Sequence, residues 1–547
     1  MSSSDSFVAG VSPAVTPSPS SPDLEGSARS TSEPQTPPRA SPLGVPIFPG
    51  EPAQLALPLP ELAGAVQTWA VPRENRVFVN RNLRLSDVDW IGFDMDYTLA
   101  IYNQPEMDAL QIEATLVRLI ARGYPESVRH IAYDTAFPIR GLMIDKKLGN
   151  VLKMDRFKRV LKAWHGMREV PTEQIAQLYH QGHIKMTAER YHWVDTLYAL
   201  AEVTVYAALV EALEQEGKPF EYDKLFADIR ESIDEAHRDG TILETVAANL
   251  DRFVLRDTDL AQTLHRWRSA GKRLFLLTNS RWSYTQKMMT HLLHGALSEY
   301  PTWRHYFDLV VVAAGKPGFF LERRPLWEHD GDEVKPAGAY LERGKIYEGG
   351  NLAEVERLLG VGGERVLYVG DHIYGDILRS KKESSWRTAM IIQEMAVEMS
   401  AYTECQGELS HLEELEARRQ KGEDELRFVQ LKYKQLSRQI EQFASSKLGL
   451  VPGQVLEAER GRIKKRLESV RGLLRELSTQ IETLERQIDR RFHAYWGSLL
   501  KEGNERSSFG DQVEEYACLY TSKVSNFLAY SPLQHYRSPR DRMPHEL

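Results

Sequence analysis

The chain has 547 residues, 42% of them hydrophobic and 27% charged, with a formal net charge of −8. Those values fit a soluble protein of two or more domains and argue against a nucleic-acid-binding surface as its main business, while leaving room for a local basic pocket. Its thiols are Cys405 and Cys518 alone and no apolar run approaches bilayer-spanning length, so neither a disulfide framework nor a membrane span is expected and the location is read as cytoplasmic.

Residues 1–69 are dense in Ser and Pro and lack the basic start and apolar stretch of a secretory signal. They offer too little apolar surface to offset ordering entropy, so a disordered leader is expected. Past residue 70, three short and nearly continuous apolar runs at 88–94, 273–279 and 365–371 end in polar residues, and a fourth at 308–314, with Lys316 just beyond it, lies between the last two. Runs of this kind suit strands buried on both faces of a parallel sheet, and the helical pattern at 260–270 suits a crossover between two of them. Ligands of such sheets gather at the carboxyl ends of the strands, so the polar closings are expected to meet in space.

The stretch 101–258 leaves this alternation for helical patterns, among them 191–216 and 222–239. It reads as a mainly helical cap inserted into a core made of 70–100 and 259–400. Farther on, Leu426, Val429, Tyr433, Leu436, Ile440 and Phe443 step by three and four, and so do Ile463, Leu467, Val470, Leu474, Leu477, Ile481, Leu484 and Ile488. The two stripes predict an antiparallel helical hairpin within 401–507, turned by a Pro-Gly link at 448–453. Such a hairpin either packs on the protein's own surface or projects as an arm for assembly.

The strand closings carry the chemistry. Phosphoryl transfer through a covalent intermediate needs an anionic nucleophile, a nearby acid and base, a cation, and donors for the phosphoryl oxygens. Asp94 supplies a carboxylate, and Asp96 can protonate a leaving oxygen and then activate water. Thr278 offers a hydroxyl with backbone amides beside it, and Lys316 an ammonium. The hard oxygens of Asp371 and Asp376 suit Mg²⁺. A lone Asp-x-Asp is a weak signal; four polar endings of matching chemical type on four apolar runs form a strong one.

These residues carry a family resemblance. Asp94-Met95-Asp96-Tyr97-Thr98-Leu99, Thr278-Asn279-Ser280, Lys316-Pro317 and Gly370-Asp371-His372-Ile373-Tyr374-Gly375-Asp376 resemble the four motifs of haloacid dehalogenase-like phosphatases, and more narrowly those of the cytosolic purine 5′-nucleotidase family. Similar segments extend the likeness over roughly 72–400 and 508–547, including Phe137-Pro138-Ile139-Arg140-Gly141-Leu142. The resemblance implies an α/β fold: a Rossmann-like parallel-sheet phosphatase core with an inserted cap, a helical hairpin near the C-terminus, and 508–547 returning to the core. It makes Asp94 the nucleophile, Asp96 the acid and base, and Thr278 and Lys316 the phosphoryl stabilisers, with Asn279 and Ser280 binding phosphate. Asp94, the backbone carbonyl of Asp96 and Asp371 would hold Mg²⁺, supported by Asp376.

In the cap, Arg230, Asp234 and His237 stand at i, i+4 and i+7 on one helix face, and the resemblance makes that face read a purine edge while Tyr198 stacks on the base. Two positions depart from the family pattern: Leu243, where a Lys is expected, and Asp195, where close vertebrate members carry Asn. The implied activity is hydrolysis of purine nucleoside monophosphates of the IMP and GMP type, with phosphotransfer to a nucleoside as a side reaction, in a homo-oligomer. A phosphatase of another phosphate ester, or an assembly protein acting through the hairpin, stand as alternatives.

Overall fold

The structure is a computed structural model and describes residues 71–547, apart from 180–186, 218, 331–332, 339, 341, 446–449, 541–542, 544–545 and 547. The leader reading for 1–69 falls outside the described residues. Strands β1 (Phe78–Val79) and β2 (Trp90–Phe93) come first. The strands of a sheet within the inserted segment follow: β3 (Leu142–Asp145), β4 (Asn150–Met154), β5 (Val160–His165), β6 (Arg168–Glu169) and β7 (Tyr191–Val194). Next are β8 (Arg273–Leu277), β9 (Leu309–Val312), β10 (Leu326–Asp330), β11 (Glu333–Pro336), β12 (Ile346–Gly349), β13 (Val366–Gly370), β14 (Arg387–Ile391) and β15 (Leu519–Thr521).

The core sheet runs β1-β15-β14-β13-β2-β8-β9-β12-β10-β11. Every pairing from β15 through to β12 is parallel, and the strands beyond them at each edge are antiparallel. The α/β architecture expected from the sequence is therefore present, and its four diagnostic runs are the adjacent strands β13, β2, β8 and β9. Each is an apolar run because both faces are covered: all four residues of β2 and of β9 are buried. Full burial of one such aliphatic or aromatic side chain contributes about 1.5–3 kcal/mol. Gly92 is required by the packing of β8 on β2, since a Cβ there would lie 2.1 Å from the Phe275 ring.

The inserted segment 101–258 contains helices α1 (Gln104–Ala121), α2 (Leu200–Gln215) and α3 (Tyr222–Arg238). It also contains a sheet that the mainly helical reading did not anticipate, with antiparallel order β6-β5-β4-β3-β7. The sheet is hard to see in the sequence because its buried strands carry Asp145, Asn150 and Lys153, which blur the apolar pattern. Each is paired. The Lys153 ammonium donates to the carbonyls of Trp496, Ser498 and Lys501 at 2.8, 2.7 and 2.8 Å and meets Glu502 at 2.6 Å, stapling the cap sheet to the chain beyond the hairpin.

Helix α4 (Met395–Glu404) leads into α5 (Gln406–Ser445), which pairs with α6 (Leu450–Phe492). The ion pairs Glu425–Arg466 at 2.5 Å and Lys432–Glu459 at 3.5 Å fix the antiparallel direction. Val429, Leu436, Val470, Leu477, Ile481 and Ile488 are buried along the seam, as the heptad stripes require. Pro452 and Gly453 belong to the first turn of α6 instead of a link. Proline is tolerated there because the N–H groups of a first turn have no intrahelical partner. The chain then returns to the core, where β15 pairs with β14.

Candidate active site

Asp94 follows β2 in the middle of the sheet, and the neighbouring strands deliver its partners. Lys316, beyond the end of β9, places its ammonium 2.9 Å from Asp94 Oδ1 and 2.7 Å from Asp376 Oδ1, and donates to the Tyr368 hydroxyl at 3.0 Å. Burial opposes the charge on Lys316, but Asp376 and Asp94 override it and hold the ammonium well above its usual range. Asp96 receives hydrogen bonds from Tyr102 and Ser280, both at 2.6 Å, one on each carboxylate oxygen. Burial nevertheless raises its pKa, which suits an acid that must give up a proton and recover it.

The Thr278 side chain is fully buried, and its hydroxyl oxygen accepts the Ser280 N–H at 3.1 Å. Asn279, assigned to phosphate by the resemblance, has its side chain on the Lys316 backbone: it donates to the Lys316 carbonyl at 2.9 Å and accepts the Lys316 N–H at 2.6 Å. The Ser280 hydroxyl is likewise spent on Asp96. In this geometry the two side chains hold the Lys316 backbone and the Asp96 carboxylate.

Asp94, Asp371 and Asp376 are buried and offer oxygens that all lie within 4.8 Å of one another. Gly370 makes this possible, because a Cβ there would come within 2.6 Å of the Asp376 side chain. Asp376 rides on a π-helical turn, Ile373–Leu378, of the kind that often marks functional sites. With Lys316 as the close cation, carboxylate charge is in excess. Burial first, then Asp376 and Asp96, push Asp94 up to about 8 against the pull of Lys316, and burial raises Asp371 well above the carboxylate range. Three convergent hard oxygens with surplus negative charge fit a divalent cation such as Mg²⁺.

This has a consequence for pH. A carboxyl with an ordinary pKa of 3.8 that is held near 8 in the fold keeps a proton that the unfolded chain releases. The cation-free protein therefore loses stability as pH rises through that window. A cation replacing the proton should stabilise more at pH 8 than at pH 6, which thermal unfolding with and without Mg²⁺ will measure; equal shifts at both pH values would contradict it.

Above this floor opens a cavity of about 820 Å³, shared with the cap. Its walls include Tyr198, Arg230, Asp234 and His237 as well as Asp94, Asp96, Lys316 and Asp371, so the residues named from the sequence for substrate and those named for catalysis line one cavity. Tyr198 packs edge-on against Tyr97 and His237, at 4.7 and 5.9 Å between centroids. Sequence reasoning missed Glu202 and His192 on the same wall. Arg230 donates to His192 Nε2 at 2.9 Å, which requires that nitrogen to be unprotonated; burial and Arg230 accordingly push His192 down to about 4. Glu202 is buried and raised to about 7 by desolvation, with Arg230 opposing and Asp234 adding to the rise. Its signal was a lone carboxylate in the apolar run around Leu200, Ala201, Val203 and Val205. Tyr102 and Arg140 were also missed as site residues.

The model of the 5' nucleotidase family matches residues 77–547. A 5'-nucleotidase domain-containing protein of Dictyostelium discoideum is 27% identical over 86% of this chain and 74% of its own length. The 5'-nucleotidase domain-containing protein 2 of Rattus norvegicus is 32% identical, and that of Homo sapiens 31%, each over 59% of this chain. The match spans 60% and 64% of their respective lengths, under two thirds in both cases. Among solved structures, CbbY of Rhodobacter sphaeroides aligns with 16% identity over 56% of this chain and 86% of its own, at a TM-score of 0.20, too low to add to the fold argument. With its match running from the first core strand to the C-terminus, the chain belongs to the 5' nucleotidase family.

Proposed function

We propose that the protein is a Mg²⁺-dependent 5′-nucleotidase acting on purine nucleoside monophosphates through a phosphoryl group carried on Asp94. The observation that carries this reading is one cavity lined by Asp94, Asp96 and Lys316 at its floor and by Tyr198, Arg230, Asp234 and His237 on its cap side. Bound at Asp94, Asp371 and Asp376, with the Asp96 carbonyl available, Mg²⁺ would supply charge neutralisation for the phosphate oxygens. An Asp94 oxygen attacks phosphorus while Asp96 protonates the departing 5′-oxygen. Asp96, now a carboxylate, takes a proton from water as that water attacks the phosphorus, releasing phosphate and restoring Asp94. A nucleoside hydroxyl in place of water gives phosphotransfer. Lys316 balances the charge that moves between Asp94 and the phosphoryl group.

Initial rates of phosphate release over a panel of monophosphates test the substrate class. IMP and GMP are expected to lead; a preference for sugar phosphates overturns the purine assignment. The carboxylates of Glu202 and Asp234 match the ring N–H donors of a 6-oxopurine, and Arg230 matches its carbonyl. Glu202→Gln is accordingly expected to lower kcat/KM for GMP roughly tenfold, the worth of one charge-assisted hydrogen bond. An unchanged value removes Glu202 from base reading.

A further inference from the structure

Arg140 enters the core from the cap segment, and its side chain is completely buried. Its Nε and Nη2 donate to the two carboxylate oxygens of Glu394 at 2.8 and 2.6 Å, and its Nη1 donates to the backbone carbonyl of Asp371 at 2.9 Å. The guanidinium lies 5.1 Å from the centroid of Phe509. Gly141 lets the chain come this close, at φ 83°, where a Cβ would sit 2.5 Å from the Phe509 side chain. A fork holding both oxygens of one carboxylate and a carbonyl elsewhere has no freedom to turn.

The residue beside Glu394 completes the arrangement. Gln393 donates to the Tyr97 carbonyl at 2.9 Å. Tyr97 has φ 57°, a conformation that side-chain-bearing residues seldom adopt, and it directly follows Asp96. Its backbone therefore sets the direction of the Asp96 carbonyl, and the Gln393 amide holds that turned backbone in place. Two consecutive residues at the foot of α4 thus touch both loops that converge on the cation site: Gln393 directly at Tyr97, Glu394 through Arg140 at Asp371. None of the three residues contributes a hydrogen bond to the carboxylates of Asp94, Asp371 or Asp376 among the bonds described.

We infer that Arg140, Gln393 and Glu394 form a clamp of positioning residues that aims the Asp96 and Asp371 backbones for cation binding. The inference rests on the proposed Mg²⁺ site. Outer partners of this kind are commonly worth about tenfold or more in metal affinity.

The test is calorimetric titration of Mg²⁺ into the full chain without substrate, comparing wild type with Arg140→Lys and Gln393→Ala, with thermal midpoints taken in parallel. Gln393 is neutral and only partly buried, so its variant is expected to fold even where Arg140→Lys does not. The expected result is Mg²⁺ binding weakened about tenfold in Gln393→Ala, with little change in its thermal midpoint and a smaller change in substrate KM. Wild-type affinity in a folded Gln393→Ala would overturn the clamp while leaving the cation site standing. No Mg²⁺ binding by wild type would overturn the site and the clamp together.

Discussion

Asp94→Asn is expected to fold and yet to release phosphate more slowly by a factor on the order of 10⁵, the scale of removing a covalent nucleophile. The amide keeps the shape and can still accept the Met95 N–H, which meets Asp94 Oδ1 at 2.7 Å. It brings no negative charge and attacks phosphorus poorly. Stability should move the other way. Asp94 is buried beside Asp371 and Asp376, and its own carboxyl is pushed up to about 8 by burial and by Asp376 and Asp96, against the pull of Lys316. Removing it relieves repulsion, so the cation-free thermal midpoint at pH 8 should equal or exceed that of wild type. Loss of turnover together with undiminished stability marks a residue kept for chemistry; a loss below tenfold would contradict the nucleophile assignment.

Lys316→Met should lose both properties at once. The ammonium is 3% exposed and pairs with Asp94 and Asp376 at 2.9 and 2.7 Å. Methionine of similar length leaves two buried carboxylates without their cation, a change that costs about 3–5 kcal/mol when a buried pair is broken from one side. Turnover should fall by about 10³-fold, as charge stabilisation of the transferring phosphoryl group is lost. Because Mg²⁺ brings positive charge to the same carboxylates, it should recover part of the lost thermal midpoint. Denaturant titration with and without Mg²⁺ checks this, and wild-type stability in the variant would show that the pairs carry no weight.

The parts of the site that could be read from the sequence are those whose cause is local. Asp94, Thr278 and Asp371 lie at the ends of apolar runs and Lys316 just beyond one, and a strand buried on both faces writes itself as such a run. Arg230, Asp234 and His237 share a helix face by spacing alone. What stayed hidden depends on contacts that no local pattern encodes. Arg140 is 231 positions from Asp371 and 254 from Glu394, and Gln393 is 296 from Tyr97. The resemblance assigned Asn279 to phosphate, and no local pattern showed that both ends of its amide hold the Lys316 backbone, 37 positions away. The cap sheet escaped because the charged Lys153 and Asp145 interrupt its apolar pattern, although both are buried and satisfied by distant partners.

The central claim is that Asp94 carries the phosphoryl group. Mixing the full chain with GMP or IMP and Mg²⁺, quenching in acid within one turnover, and locating added phosphoryl mass by peptide fragmentation tests it directly. The account predicts phosphoryl mass on Asp94 in wild type and none in Asp94→Asn. Turnover with the phosphoryl group on another residue, or with no covalent adduct at all, would contradict it.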